Sequence, residues 1–275
     1  KLRLECQGRN RTLLFSLLES IFSPSLNTIQ EFVMSQEKTL RERIREGEVL
    51  VAMRGSLKTG KEELADIWST GQYDYIWIDS QHTPYSDEML VAYCAAAADL
   101  GIDVQLRIPH TRQAYMVGRF LDFGLSAVLV PEVEEPATVD DAIAYAYYGP
   151  IGRRSWGGAT RRGFNAGIDR HAYSAWWNDY VILGIQIESV EAVTNIHKLA
   201  KPGISVVTFG PNDLSFSLEA HPGFPLQNVD ECMRNVAEQL QGTGIRLAMG
   251  TATQPEERDK YLEMGFTLFQ ADMPD

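Results

Sequence analysis

From Glu48 onward the chain alternates short runs of β-branched and aliphatic residues with longer stretches in which apolar residues recur at helical spacing. The runs are VLVAMRGS, YDYIWID, DVQLRIP, SAVLVPEV, VILGIQIE, ISVVTFG, IRLAMG and FTLFQAD. Between them lie KEELADIWSTG, SDEMLVAYCAAAADLG, TRQAYMVGRFLDFG, TVDDAIAYAYYG, VEAVTNIHKLAKPG, VDECMRNVAEQLQGTG and QPEERDKYLEMG, several of which close on the glycine that ends helices. Eight strand-helix units in one chain predict an α/β fold, a single (β/α)8 barrel. An open doubly wound sheet is the alternative, but no GxGxxG turn follows the first strand to support a dinucleotide site.

The first 33 residues do not share this alternation, and Met34 resembles a start. Their apolar run LLFSLLESIF is interrupted by Glu19 and is too short to span a membrane. We read 1–33 as a non-barrel extension, helical or non-native, and 34–275 as the barrel domain.

Charge narrows the partners. Of 275 residues, 44% are hydrophobic and 23% charged, enough to bury a large core, and 25 Lys plus Arg against 37 Asp plus Glu leave a net charge of −12. Such a surface repels nucleic acid and anionic membranes and leaves a small molecule as the expected partner. Cys6, Cys94 and Cys232 are odd in number and lack metal-ligand spacing, which suits a reducing cytosol rather than a disulfide framework.

The barrel changes how the strand ends are read, because catalytic groups in this architecture come from the C-terminal ends of the strands. YDYIWIDSQHTPYS runs from an apolar strand straight into Asp79 and His82; Arg107 ends VQLR, Glu188 ends GIQIE, and Asp213 follows the strand of TFGPND. Glu188 and Asp213 are hard oxygen ligands, too few for a calcium cage but suited to Mg²⁺ or Mn²⁺, with Co²⁺ as a further candidate. A divalent ion there acts as a Lewis acid toward the enolate of a 2-keto acid. Arg107 supplies fixed positive charge where the oxyanion develops. His82, oriented by Asp79, serves as general base directly or through a water.

Each residue has a plainer reading. A lone strand-end acid more often caps a helix or forms a surface ion pair, His82 reads equally as a loop histidine, and Arg107 has many acids to pair with. Convergence on one face favours chemistry. His110, His171, His197 and His221 lack such placement and are read as structural. The loop YYGPIGRRSWGG carries Arg153 and Arg154 toward an anionic substrate or a neighbouring subunit, or is simply solvated. FGPNDLS offers backbone N–H groups before a helix, a seat for a substrate carboxylate, or an ordinary Gly-Pro turn.

Taken in order, YIWIDSQHTP, LRIP, LVPEVEEP, YYGPIGRRSWG, QIES and FGPNDLS resemble the metal-dependent class II pyruvate aldolases of the HpcH/HpaI type, which cleave 2-keto-3-deoxy acids. The resemblance runs from about Glu48 to the end of the chain. It implies a carbon–carbon lyase that splits or forms 2-keto-3-deoxy or 4-hydroxy-2-oxo acids through a metal-bound pyruvate enolate. Oxaloacetate decarboxylation, macrophomate-synthase-like enolate chemistry and a non-catalytic 2-keto-acid-binding barrel are the alternatives. It implies Glu188 and Asp213 as metal ligands, Arg107 as enolate stabiliser, and His82 with Asp79 as the acid–base dyad. Gly210, Pro211 and Asn212 become the turn facing the substrate carboxylate, with Gln186 beside the metal. A homo-oligomer, hexamer or trimer, is implied as well. Gln81 departs from the family's usual Glu beside the histidine, Asn212 replaces a small residue, and FQADMPD stands where the family continues into a last helix.

Overall fold

The eight apolar runs form eight parallel strands in a computed structural model that describes residues 38–164 and 167–273. They are β1 (Leu50–Arg54), β2 (Tyr75–Asp79), β3 (Val104–Arg107), β4 (Ala127–Val130), β5 (Ile182–Ile187), β6 (Val206–Phe209), β7 (Arg246–Ala252) and β8 (Phe266–Ala271). Each pairs with its sequence neighbour, and β8 pairs with β1 to close the barrel. The expected (β/α)8 fold is therefore the observed one. The reading of residues 1–33 lies outside the described residues.

Helices follow the strands: α1 (Leu40–Glu46) precedes β1, and α2 (Lys61–Trp68), α3 (Asp87–Asp99), α4 (Val117–Leu121) and α5 (Pro136–Ala146) follow the first four. Then come α6 (Arg170–Tyr180), α7 (Val190–Leu199), α8 (Pro211–Ala220), α9 (Val229–Gln239) and α10 (Arg258–Glu263). Side chains provide many of the N-caps: Ser86, Asp169, Ser189 and Asn228 each accept a backbone N–H of the first turn.

Two apolar layers result. Outward-facing strand residues pack on the helices, with Trp177, Leu64, Leu90 and Phe269 fully buried there. Inside the barrel, Leu50, Tyr75, Ala127, Ile182, Val206 and Leu268 fill the N-terminal half, and Leu40 and Ile44 of α1 close that end. Arg246 of β7 holds α1 in place, its Nε donating to the Ile44 carbonyl at 3.1 Å. Toward the C-terminal ends the interior turns polar, with Gln105, Arg107, Gln186, Glu188, Thr208 and Gln270 all buried. Burying so many polar groups is costly unless they are partnered, so the polar end is where the barrel is built for something other than stability.

One loop arginine corrects an expectation. Arg154 reaches no anionic site. Its side chain is 1% exposed, donates to Asp122 at 2.7 Å and lies 4.1 Å over the Trp177 ring. Arg153 lies over Tyr145 at 4.9 Å. Helix α6, absent from the sequence-based pattern, supplies the ring beneath Arg154, with Tyr173, Trp176, Trp177 and Tyr180 forming its inner face.

Candidate active site

Asp79, His82, Arg107, Gln186, Glu188, Gly210, Pro211, Asn212 and Asp213 line one cavity of about 290 Å³ at the C-terminal end of the barrel. They arrive there because parallel strands in register end together. Asp79 and Arg107 are register partners on β2 and β3, Gln186 is two residues before Glu188 on the same side of β5, and Asp213 lies in the first turn of α8 just after β6.

Arg107 organises the floor. Its Nε donates to Asp79 Oδ1 at 2.9 Å and its Nη2 to Oδ2 at 2.8 Å, a two-pronged pair with both side chains at most 10% exposed. Nη1 donates to Gln186 Oε1 at 3.4 Å. Three of the guanidinium's five N–H donors are thus occupied, which leaves two for a ligand. Burial works to raise the Asp79 carboxyl, but the hydrogen bonds and charge of Arg107, helped by the N–H groups of Gln81 and His82, hold it below the usual range.

This geometry corrects the Asp79–His82 pairing. Both carboxylate oxygens of Asp79 face Arg107, and the loop after β2 meets Asp79 through backbone N–H groups rather than through imidazole. The sequence places Asp79 and His82 close together, but cross-strand register decided the partner. The exposed His82 ring makes no hydrogen bond among the described residues and borders the cavity from its rim.

Glu188 is pinned from two sides. Gln186 Nε2 donates to Oε1 at 2.6 Å, and the backbone N–H of Glu132 donates to Oε2 at 2.9 Å. Glu132 has a φ of 51°, a left-handed conformation uncommon for a residue with a side chain, and it aims that N–H at the carboxylate. Burial pushes the Glu188 carboxyl up to about 7; the Glu132 N–H opposes the rise and the Asp213 charge adds to it. Gly210 lets this happen, because a Cβ there would sit 2.1 Å from Glu188 Oε1.

Both carboxylates line the cavity, Glu188 being raised chiefly by burial with a smaller rise from the Asp213 charge, and no group of three or more His, Cys, Asp or Glu with metal-binding placement occurs among the described residues. Two hard oxygens that leave room for waters and substrate could hold a divalent cation.

Sequence reasoning missed Arg54, Trp77, Thr251, Gln270 and Asp272, which line the same cavity from β1, β2, β7 and β8. Arg54 was available to the rule that selected Asp79, since it too ends a strand. Glu132 carried no such signal, because its contribution is a backbone N–H.

A sequence profile of the family described as HpcH/HpaI aldolase/citrate lyase matches residues 57–272. A 2-keto-3-deoxy-L-rhamnonate aldolase of Escherichia coli K12 is 31% identical over 186 residues, 67% of each chain. A hydroxypyruvate/pyruvate aldolase of Sagittula stellata is 31% identical over 164 residues, 59% of this chain and 63% of that protein, so the match spans just under two thirds of that relative. The crystal structure of an HpcH/HpaI aldolase from Desulfitobacterium hafniense superposes with a TM-score of 0.75 at 25% identity, covering 86% of this chain and 91% of that one.

Proposed function

The chain belongs to the HpcH/HpaI aldolase/citrate lyase family, and from that premise we propose that it is an aldolase that interconverts a 4-hydroxy-2-oxo acid with pyruvate and an aldehyde. The observation that carries this reading is the convergence of Arg107, Glu188, Asp213 and His82 on one cavity at the C-terminal end of the barrel.

In cleavage, His82 takes the proton of the C4 hydroxyl, directly or through a water, and its exposed position at the rim suits that task. The C3–C4 bond breaks, its electron pair becomes the C2–C3 double bond, and negative charge collects on the C2 oxygen. The two unoccupied N–H groups of Arg107 meet that oxygen, and Asp79 fixes the guanidinium so that little reorganises as charge develops. The aldehyde leaves, and C3 takes a proton back from the imidazolium to give pyruvate. The substrate carboxylate faces the first turn of α8, where Asn212 and Asp213 have free-facing N–H groups and Pro211 has none to lose. Glu188 and Asp213 would hold Mg²⁺ or Mn²⁺. When bound, the ion supplies Lewis-acid polarisation of the keto group.

Free, buried Cys94 and Cys232 support a place in the reducing cytosol. A homo-oligomer, hexamer or trimer, belongs to the same reading, with Ile151, Trp156 and Phe164 as exposed apolar groups it would cover. The test of function is a pyruvate-release screen of 2-keto-3-deoxy acids and oxaloacetate with Mg²⁺, Mn²⁺, Co²⁺ or chelator. Metal-dependent release from a keto-deoxy acid supports the aldolase; release from oxaloacetate alone would replace it with a decarboxylase, and no release with retained pyruvate binding would replace it with a binding protein.

A further inference from the structure

Glu132 owes its aim at Glu188 to more than its own backbone. It lies in the loop after β4, where its N–H reaches Glu188 Oε2 at 2.9 Å and the N–H of Val133 reaches the Gln186 carbonyl at 3.2 Å. These two bonds tie the loop to the end of β5. A φ of 51° on a residue with a side chain persists only where surrounding contacts impose it, and the structure supplies a third tether. Gln81, in the loop after β2, donates from Nε2 to Glu132 Oε1 at 3.0 Å. Because β3 lies between β2 and β4, this bond crosses the end of the strand that carries Arg107. Gln81 is itself fixed, its backbone N–H donating to Asp79 Oδ1 at 3.0 Å. Its Oε1 is buried and finds no partner among the described residues, so the bond to Glu132 alone directs the amide. A buried carbonyl left unmatched is costly, which marks this amide as one held in place for the donor at its other oxygen-free end. A continuous chain of hydrogen bonds thus runs from Asp79 through Gln81 and Glu132 to Glu188.

We propose that Gln81 and Glu132 are positioning residues for the metal site: their side-chain bond latches the β4 loop so that the Glu132 N–H holds Glu188 in the orientation that takes a divalent cation. This rests on the reading above in which Glu188 and Asp213 hold that ion. Neither Gln81 nor Glu132 lines the cavity, so both act through Glu188 rather than on substrate or ion. The latch needs one amide and one carboxylate. A glutamate at 81 would meet Glu132 as a like charge, whereas exchanging the two residue types rebuilds the bond with the donor reversed and the total charge unchanged.

The experiment titrates metal-free protein with Mn²⁺ in a calorimeter and needs no turnover. Gln81→Glu separates the latch from the electric field by the sign of its effect. An added carboxylate near a cation site tightens binding through its field alone, whereas a broken latch weakens it. Gln81→Glu should weaken Mn²⁺ affinity about tenfold, the scale of one lost charge-assisted hydrogen bond to the Glu188 carboxylate. Gln81→Met, which removes the donor without adding charge, should shift affinity in the same direction. The exchanged pair, Gln81→Glu with Glu132→Gln, should return to within about threefold of wild type, since the coupling belongs to the pair. Urea midpoints of all three variants should stay close to that of the wild type, because the bond lies at the surface. Unchanged or tighter Mn²⁺ binding in Gln81→Glu, wild-type affinity in Gln81→Met, or a loss that the exchanged pair does not recover overturns this inference alone. A wild-type protein that binds no Mn²⁺ overturns the metal reading and this inference with it.

Discussion

Replacing Gly210 with alanine places a methyl group where the site has no room. The new Cβ would lie 2.1 Å from Glu188 Oε1 and 2.9 Å from Gln186 Nε2, whereas close carbon–oxygen contacts run to about 3.3 Å. The backbone at 210, with φ −102° and ψ 90°, is open to alanine, so the penalty is steric rather than conformational. The carboxylate must retreat by more than about 1 Å. A side-chain tip on the surface would do so freely, but Glu188 is buried and held at 2.6 Å by Gln186 and at 2.9 Å by the Glu132 N–H. Breaking one such charge-assisted bond costs about 1.5–3 kcal/mol, and a displacement of this size in a reacting site costs about 10²-fold in rate. Gly210→Ala should therefore lose about 2 kcal/mol in urea unfolding and at least about 10²-fold in kcat/KM for pyruvate release, with a matching fall in Mn²⁺ affinity by titration calorimetry. Gly223→Ala, which meets nothing within 4 Å, is the control and should stay within about 0.5 kcal/mol. Wild-type kcat/KM and Mn²⁺ affinity in Gly210→Ala would refute the account of how Glu188 is positioned.

Three further outcomes follow from the same geometry. His82→Ala should lower pyruvate release by about 10²–10⁴ while leaving thermal stability within about 0.5 kcal/mol, because the ring is exposed and unbonded; equal activity would remove it as the base. Arg154→Ala should cost about 1.5–3 kcal/mol in chemical denaturation, since it removes a charge-assisted bond to the partly exposed Asp122 and empties a space beside Trp177; the purified folded fraction should keep its KM for pyruvate, and a raised KM would return this arginine to the substrate. In chelator, the raised Glu188 carboxyl binds a proton more tightly in the folded than in the unfolded chain, so its contribution is fully present below about pH 4.5 and is lost as pH rises through about 7. Glu188→Gln should flatten the stability profile across that window, and an unchanged slope would show that the carboxyl is not raised.

The strands were legible because barrel strands are buried on both faces and read as unbroken apolar runs, and the tips of those runs marked the end at which ionisable groups gather. Helix α6 was legible too but overlooked: Tyr173, Trp176, Trp177 and Tyr180 follow helical spacing, masked by the polar residues between them. What the sequence could not disclose was register. Asp79 lies three residues from His82 yet faces Arg107 across β2 and β3, and only the alignment of parallel strands sets that choice. Arg154 misled for a related reason, since a loop cation packed on aromatic rings is indistinguishable in sequence from one reaching into solvent. The Glu132 N–H is invisible to any residue-type argument, as it depends on a left-handed backbone at one position.

The central claim is that this cavity generates the enolate of pyruvate. Proton NMR of pyruvate in D₂O tests it without knowledge of the aldehyde, using wild-type enzyme and Asp213→Asn, each measured once with Mg²⁺ supplied and once in chelator. The account predicts loss of the methyl signal in the metal-supplied wild type, and exchange near the background rate in chelator and in Asp213→Asn. Background exchange in the metal-supplied wild type, or full exchange in Asp213→Asn, would contradict it.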